Sequence, residues 1–242
     1  MRSPKIYIGT SGWSYDGWSG IFYPESLART GWLSFYSEHF STVEINSSFY
    51  HLPKPQTFNS WAKKTPDNFL FAVKASRYIT HIKRLKDCGE PFKNLLKSAK
   101  ELKGKLGPFL FQLPPNMKKN TSRFKDFLEI LPDDYKYAFE FRNESWFCDE
   151  VYNMLDSKGC AIVISNSPGF PYHEKVAGSF CYIRMHGGKE LYSSNYTGIE
   201  LKKVAKIVKQ YQKNGISSYT YFNNDIHGYA VENAKTLINL IS

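Results

Sequence analysis

Two glutamates, Glu44 and Glu140, and one histidine, His186, stand in short β-rich runs of the chain. Paired carboxylates do general acid–base work on water or on a leaving group. At suitable separations they also cleave glycosidic bonds. Three cations, Lys74, Arg142 and Arg184, stand in the same kind of run. Arginine forks hold carboxylate or phosphate through two parallel N–H donors. Together these residues suggest chemistry on an anion. Glu140 or Glu44 would activate water, Lys74, Arg142 and Arg184 would hold a phosphate, and His186 would protonate the leaving group. Asn46, His81, Gln112 and Asn223 add neutral groups to the same constellation. Glu44, Glu140, His186 and Asp225 also form an oxygen and nitrogen set that suits Mg²⁺, Mn²⁺ or Zn²⁺. No closely spaced ligand pair accompanies that set.

Eight strand-like runs have to position these residues: 6–10, 42–46, 70–76, 109–113, 137–142, 161–166, 180–186 and 218–223. Helical patterns fill most gaps, most clearly at 92–103, 122–131, 149–158, 199–213 and 230–241. Gly159 and Gly215 stand where helix-ending glycines belong. The gap between strands six and seven is poor in helix signal. Eight strands alternating with helices indicate an α/β fold with a parallel sheet. The length of 242 residues suits one closed (β/α)8 TIM-type barrel over residues 1–242, its helix between strands six and seven reduced or missing. An open doubly wound sheet is the runner-up. No Gly-x-Gly-x-x-Gly turn and no P-loop occurs, so no nucleotide cofactor is expected.

Strand side chains alternate between the helices and the lumen. Val43 with Ile45, Phe71 with Val73, Phe109 with Phe111, Phe139 with Phe141, and Ile183 with Met185 must face helices. That phase turns Glu44, Asn46, Lys74, Gln112, Glu140, Arg142, Arg184 and His186 inward. Strand eight has an ambiguous phase. The inward polar residues cluster at the C-terminal strand ends, where barrels build active sites. A closed ion-pair network is the alternative reading of the same charges.

The formal net charge is +10, and its location is informative. Between Lys74 and Lys125 there are fourteen basic residues and three acidic ones, so the rest of the chain is close to neutral. Lys83, Arg84, Lys86, Lys118, Lys119 and Arg123 fall in or next to loops after strands three and four, which a barrel places at its mouth. Lys93, Lys97 and Lys100 read as solvated helix surface. Aromatics make up 17% of the chain and crowd the first loop, where Trp13, Tyr15, Trp18, Phe22 and Tyr23 stand. Trp13, Tyr15 and Tyr50 are candidates for stacking on bases or sugars. A loop core is the alternative for the whole group. Cys88, Cys148, Cys160 and Cys181 have no CxxC spacing and read as reduced thiols of a cytoplasmic protein. The N-terminus has no leader pattern, and no apolar run reaches membrane-span length.

Several segments carry a family resemblance. They are Gly9-Thr-Ser-Gly-Trp-Ser-Tyr15 with Trp18, Phe22-Tyr-Pro24, Val43-Glu-Ile-Asn-Ser-Ser-Phe-Tyr50, and Phe71-Ala-Val-Lys74 with Ile79-Thr-His81. Leu110-Phe-Gln-Leu-Pro-Pro115, Glu140-Phe-Arg142 with Ser145-Trp146, Tyr182-Ile-Arg-Met-His-Gly187 and Tyr221-Phe-Asn-Asn-Asp225 complete the set. The combination resembles the DUF72, or YecE-like, family across essentially the whole chain. The resemblance implies a (β/α)8 barrel and brings no settled activity. Val176-Ala-Gly-Ser179 departs from the family's Thr-Ala-Asp-like approach to strand seven.

The first functional expectation is an enzyme on an anionic substrate, in its most concrete form a hydrolase cleaving phosphodiesters of single-stranded nucleic acid. The second is a carbohydrate-active enzyme using the same carboxylates. The third is a nucleic-acid-binding protein without catalysis. Fold alone does not decide among them.

Overall fold

The computed structural model describes residues 4–242. Met1–Ser3, part of the N-terminus read above as lacking a leader pattern, lie outside the described residues. The strands are β1 (Ile6–Thr10), β2 (Thr42–Ile45), β3 (Leu70–Lys74), β4 (Leu106–Gln112), β5 (Tyr137–Glu140), β6 (Ala161–Asn166), β7 (Cys181–Met185) and β8 (Ser218–Phe222). All are parallel, in the order β1-β8-β7-β6-β5-β4-β3-β2. Beyond the strand ends, Ser11 bridges Glu44 and the Gly12 amide donates to the Glu44 carbonyl at 2.8 Å, so β1 meets β2 and nearly closes a TIM-type barrel.

The closing seam depends on a missing side chain. A Cβ at Gly9 would stand 2.2 Å from the Thr42 carbonyl oxygen, backbone that cannot move aside. Gly9→Ala should therefore force β1 from β2 and cost about 1–3 kcal/mol, as overpacking does. Urea denaturation checks this, and an unchanged midpoint would show that the seam yields freely.

The helices are α1 (Trp32–His39), α2 (Ser47–Tyr50), α3 (Pro55–Lys63), α4 (Gly89–Ala99), α5 (Thr121–Glu129), α6 (Asp149–Ser157), α7 (Gly198–Lys213) and α8 (Tyr229–Ile241). The five expected helices are α4 to α8, and α4 runs on as a tighter turn over Lys100–Lys105. Gly159 and Gly215 take left-handed backbone beyond α6 and α7, as expected. No helix joins β6 to β7, and an irregular segment crosses there. Among the described residues no helix is long and apolar enough to cross a membrane.

The alternation along the strands divides the core in two. Val43, Ile45, Phe71, Val73, Phe109, Phe111, Phe139, Phe141, Ile183 and Met185 pack beneath the helices. Phe111 stacks on Phe139, and Phe141 stacks on Trp146 at 4.8 Å. Ala72, Leu110, Ala138, Ala161, Val163, Tyr182, Tyr219 and Tyr221 fill the lumen. Strand eight thus resolves with its tyrosines inward. The lumen is a packed apolar plug, and the polar layer rests above it at the C-terminal strand ends.

Several expected strands overran their true ends. Asn46, Arg142, His186 and Asn223 each stand one or two residues past a strand, where the chain turns into a mouth loop. The ladder persists briefly there: His186 N donates to Asn166 O, and Asn223 N to Met185 O. These four residues are anchored by strand geometry at the base of the mouth loops.

Candidate anion-binding mouth

Arg184 is the centre of the polar layer and is 0% exposed. Its Nε and Nη2 donate to Glu44 Oε2 and Oε1 at 3.0 and 2.7 Å, and its Nη1 donates to Glu140 Oε2 at 2.5 Å. One guanidinium from β7 therefore ties a carboxylate on β2 to one on β5. Glu44 also accepts from Ser11 Oγ at 2.7 Å and Tyr182 Oη at 2.6 Å. Glu140 Oε1 accepts from Gln112 Nε2 at 2.9 Å and Arg142 Nε at 3.0 Å. Both glutamates are 0% exposed, and every carboxylate oxygen is engaged. Burial alone would raise their pKa values. Arg184 overrules it, holding Glu44 below the usual carboxylate range and, with Arg142, Glu140 well below it.

This geometry bears on the acid–base expectation. Glu44 and Glu140 come together, as expected, but as the anionic half of an ion-pair network. Arg184 is likewise spent on them and, fully buried, does not reach the surface of the mouth. His186 is fully buried, with Nε2 3.2 Å from Arg184 Nη1 and 3.4 Å from Glu140 Oε1. Asn223 Nδ2 lies 2.9 Å from His186 Nδ1. Burial, then the Arg184 charge, depresses His186 to about 4, so it is neutral at pH 7. The divalent-metal expectation fares no better. Among the described residues no group of three or more His, Cys, Asp and Glu could hold a metal ion. Glu44 and Glu140 already give their oxygens to arginine, serine, tyrosine and glutamine. Asp225 instead accepts from Trp18 Nε1 through its main-chain oxygen at 3.0 Å, and burial raises its carboxyl.

The groups that reach the rim are Lys74, Arg142 and His81. Lys74 is 9% exposed. Its Nζ donates to Gln112 Oε1 at 3.0 Å and stands 4.2 Å from the Phe49 ring centre. Burial, then the Arg184 charge, lowers it to about 7, against the partial opposition of Glu140 and Glu44. Arg142 lies 4.5 Å over the Phe170 ring, and its buried Nη2 has no partner among the described residues. His81 packs edge-on against Phe49 and pairs with Thr80 Oγ1 at 2.9 Å. Burial first, then Lys74, Arg142, Arg77 and Arg84, lower it to about 4. Four cations thus converge on one half-buried imidazole.

The basic loops divide. Lys83, Arg84, Lys86 and Lys118 stand on the loops after β3 and β4, and Arg84 Nη2 joins those loops through Asn116 Oδ1 at 2.9 Å. Lys119 turns aside to Glu150 at 3.1 Å. Arg123 belongs to the first turn of α5, where its amide is capped by Asn120. A π-helical turn, Tyr78–Ile82, carries His81, and Arg84, Leu85 and Asp87 follow it in left-handed backbone. Such irregularities gather at functional sites.

The first-loop aromatics are largely core. Trp18, Phe22 and Tyr23 are buried, and Tyr23 stacks on Trp32 at 4.7 Å. Tyr15 is half-buried, with its hydroxyl donating to the Ser11 carbonyl. Trp13 packs edge-on against Trp61, and both line a cleft of about 380 Å³ with Asn46. Asn46 Oδ1 is buried there without a partner. Tyr50 is the exception, at 66% exposed.

Sequence reasoning missed Ser11, Tyr182, Arg77 and Phe170. Tyr182 was findable, since it shares a strand face with Arg184 two residues on. Phe170 had no signal, because it lies in the irregular β6–β7 segment.

The comparisons agree with this architecture. The family model described as "Protein of unknown function DUF72" matches residues 7–242. UPF0759 protein YunF of Bacillus subtilis is 28% identical over 98% of this chain and 94% of its own length. UPF0759 protein YecE of Escherichia coli K12 is 32% identical over 59% of this chain and 50% of its own. The crystal structure of a DUF72 family protein from Thermotoga maritima has a TM-score of 0.89 at 30% identity, covering 98% of this chain and 99% of that one. A DUF72 family protein from Enterococcus faecalis reaches 0.84 at 20% identity, over 98% and 95% of the two chains. With the family model matching residues 7–242, the chain belongs to the DUF72 (UPF0759) family.

Proposed function

We propose that the barrel mouth binds a phosphate-bearing substrate between Lys74 and Arg142, and that single-stranded nucleic acid is the class it fits best. The charge count of the polar layer carries this reading. Arg142, Arg184 and a protonated Lys74 face two carboxylates, and the arginines consume both. One positive charge is left over, and the buried Nη2 of Arg142 has no partner among the described residues. A phosphate supplies both the missing charge and the missing acceptors. Arg77, Lys83, Arg84 and Lys118 extend the positive field over the same face. Tyr50 and Tyr78, exposed on the loops after β2 and β3, offer stacking faces at ~1–3 kcal/mol per base.

The geometry supports binding ahead of hydrolysis. Neither Glu44 nor Glu140 has a free oxygen for water, so turnover through them needs the cluster to open first. The same saturation weighs against glycoside cleavage, which needs two carboxyl groups facing one sugar.

Binding of a fluorescent single-stranded oligonucleotide, read by polarisation, tests this. With about four phosphate contacts, affinity should fall roughly fiftyfold between 50 and 200 mM salt. Arg142→Ala should reduce the salt slope by about 0.7. Affinity indifferent to salt would overturn the reading.

A further inference from the structure

We propose that Lys74 is an amine nucleophile that forms an imine with an aldehyde or ketone carrying an anionic group. The side chain leaves the C-terminal end of β3 and its ammonium position is almost enclosed. The only hydrogen-bond partner of Nζ among the described residues is a neutral oxygen, Gln112 Oε1. One side is covered by the Phe49 ring. The nearby carboxylates cannot serve as its counter-ions, because Arg184 and Arg142 hold them. A lysine without a counter-ion, beside two guanidiniums and a ring, is held toward its uncharged form, and that form is the nucleophile. The groups that set its charge come from every neighbouring element: Glu44 on β2, Glu140 and Arg142 at β5, and Arg184 on β7. Burial first, then the balance of these charges, leaves Lys74 near 7, so about half the amine is neutral at physiological pH.

The surroundings also specify the electrophile. Arg142 Nη2 has no partner among the described residues and is an unused donor for a phosphate or carboxylate on the same molecule. The step balances without any oxidant or reductant. The Nζ lone pair forms the C–N bond, and the carbonyl π pair moves onto oxygen, which takes a proton. That proton is one of the two on Nζ. The resulting carbinolamine then expels its hydroxyl, which takes the second N–H proton and leaves as water, while the nitrogen lone pair closes the C=N bond. His81, neutral and in contact with Phe49 on the same rim, is placed to pass those protons. The anionic requirement rests on the phosphate-binding reading above, while the amine chemistry does not.

The test uses the full chain with glycolaldehyde phosphate or glycolaldehyde, each with cyanoborohydride, followed by intact mass and peptide mapping. Glycolaldehyde phosphate should label Lys74 about a hundredfold faster than a surface lysine at pH 7, since an ordinary lysine is almost wholly charged there. Labelling should rise through pH 7 and then level off. Lys74→Met should lose that adduct and keep its near-ultraviolet circular dichroism. Labelling spread over surface lysines, with Lys74 no faster, overturns the proposal. Equal labelling of Lys74 by both probes supports the amine and overturns the phosphate-binding reading.

Discussion

Arg184→Met should be the most damaging single change in the barrel, costing about 3–5 kcal/mol, the usual penalty for orphaning a buried charge. For a chain of this size that is a drop in Tm of roughly 10 °C. Arg184 is fully buried and supplies three of the hydrogen bonds to Glu44 and Glu140. Methionine fills the volume but leaves two carboxylates with only Arg142 and Lys74 to balance them. Arg184→Lys should rescue little, because one ammonium cannot span β2 and β5 in a forked geometry. The pH dependence should invert. In the native protein both carboxylates lie below their unfolded value of 4.5, so their contribution is complete above that pH and is lost as acid carries the chain through the folded values. His186, lowered from 6.5 to about 4, adds a loss in the same direction below 6.5. In the variant, burial without Arg184 raises the carboxylates instead, so stability should improve on acidification from pH 7 to 5. Urea denaturation across that range decides the matter. A variant of native stability at pH 7, or one with the native pH slope, would remove Arg184 from the centre of the network.

The barrel was legible because two periodicities agree along the chain. Phenylalanines and branched residues at every second position fixed the outward face of most strands, and the charged residues then had only the lumen to enter. The glycine stops of α6 and α7 could be read the same way. The helices α1 to α3 were not singled out. The first is rich in aromatics and the second is a single turn, so neither has a strong helical signature, while Pro55 at the first position of the third is a start signal that went unread. The site was legible as a list but not as a set of pairings. Strand phase says that Glu44, Glu140 and Arg184 point inward; it does not say that Arg184 reaches both glutamates and saturates them. That depends on the register across β2, β5 and β7, which single-strand patterns do not contain. The first-loop aromatics failed for a related reason. A dense aromatic run looks alike whether it faces a ligand or, as with Trp18 and Tyr23, the protein's own core.

Lys74→Met should have the opposite effect to Arg184→Met and stabilise the barrel at pH 7, by on the order of 2 kcal/mol. The sign follows from the direction of the shift. Burial first, then Arg184, brings Lys74 from 10.5 to about 7 in the folded protein. Between those values the unfolded chain binds one more proton than the folded one, so stability rises with pH from about 7 to about 10.5. Below 7 the penalty for enclosing the charge is present in full. Methionine keeps the length of the side chain, packs against Phe49 and carries no charge to desolvate. The native protein and the variant should therefore differ most at pH 7 and below and converge as pH approaches 10. Paired denaturation curves at pH 7 and pH 9.5 measure both the gain and its decay. A lysine kept at the rim against its own stabilising replacement is what a binding or reacting amine looks like, since functional groups are often held at a cost in stability. A less stable variant at pH 7 would instead make Lys74 the counter-charge of Glu140, and the polar layer a structural ion-pair network throughout.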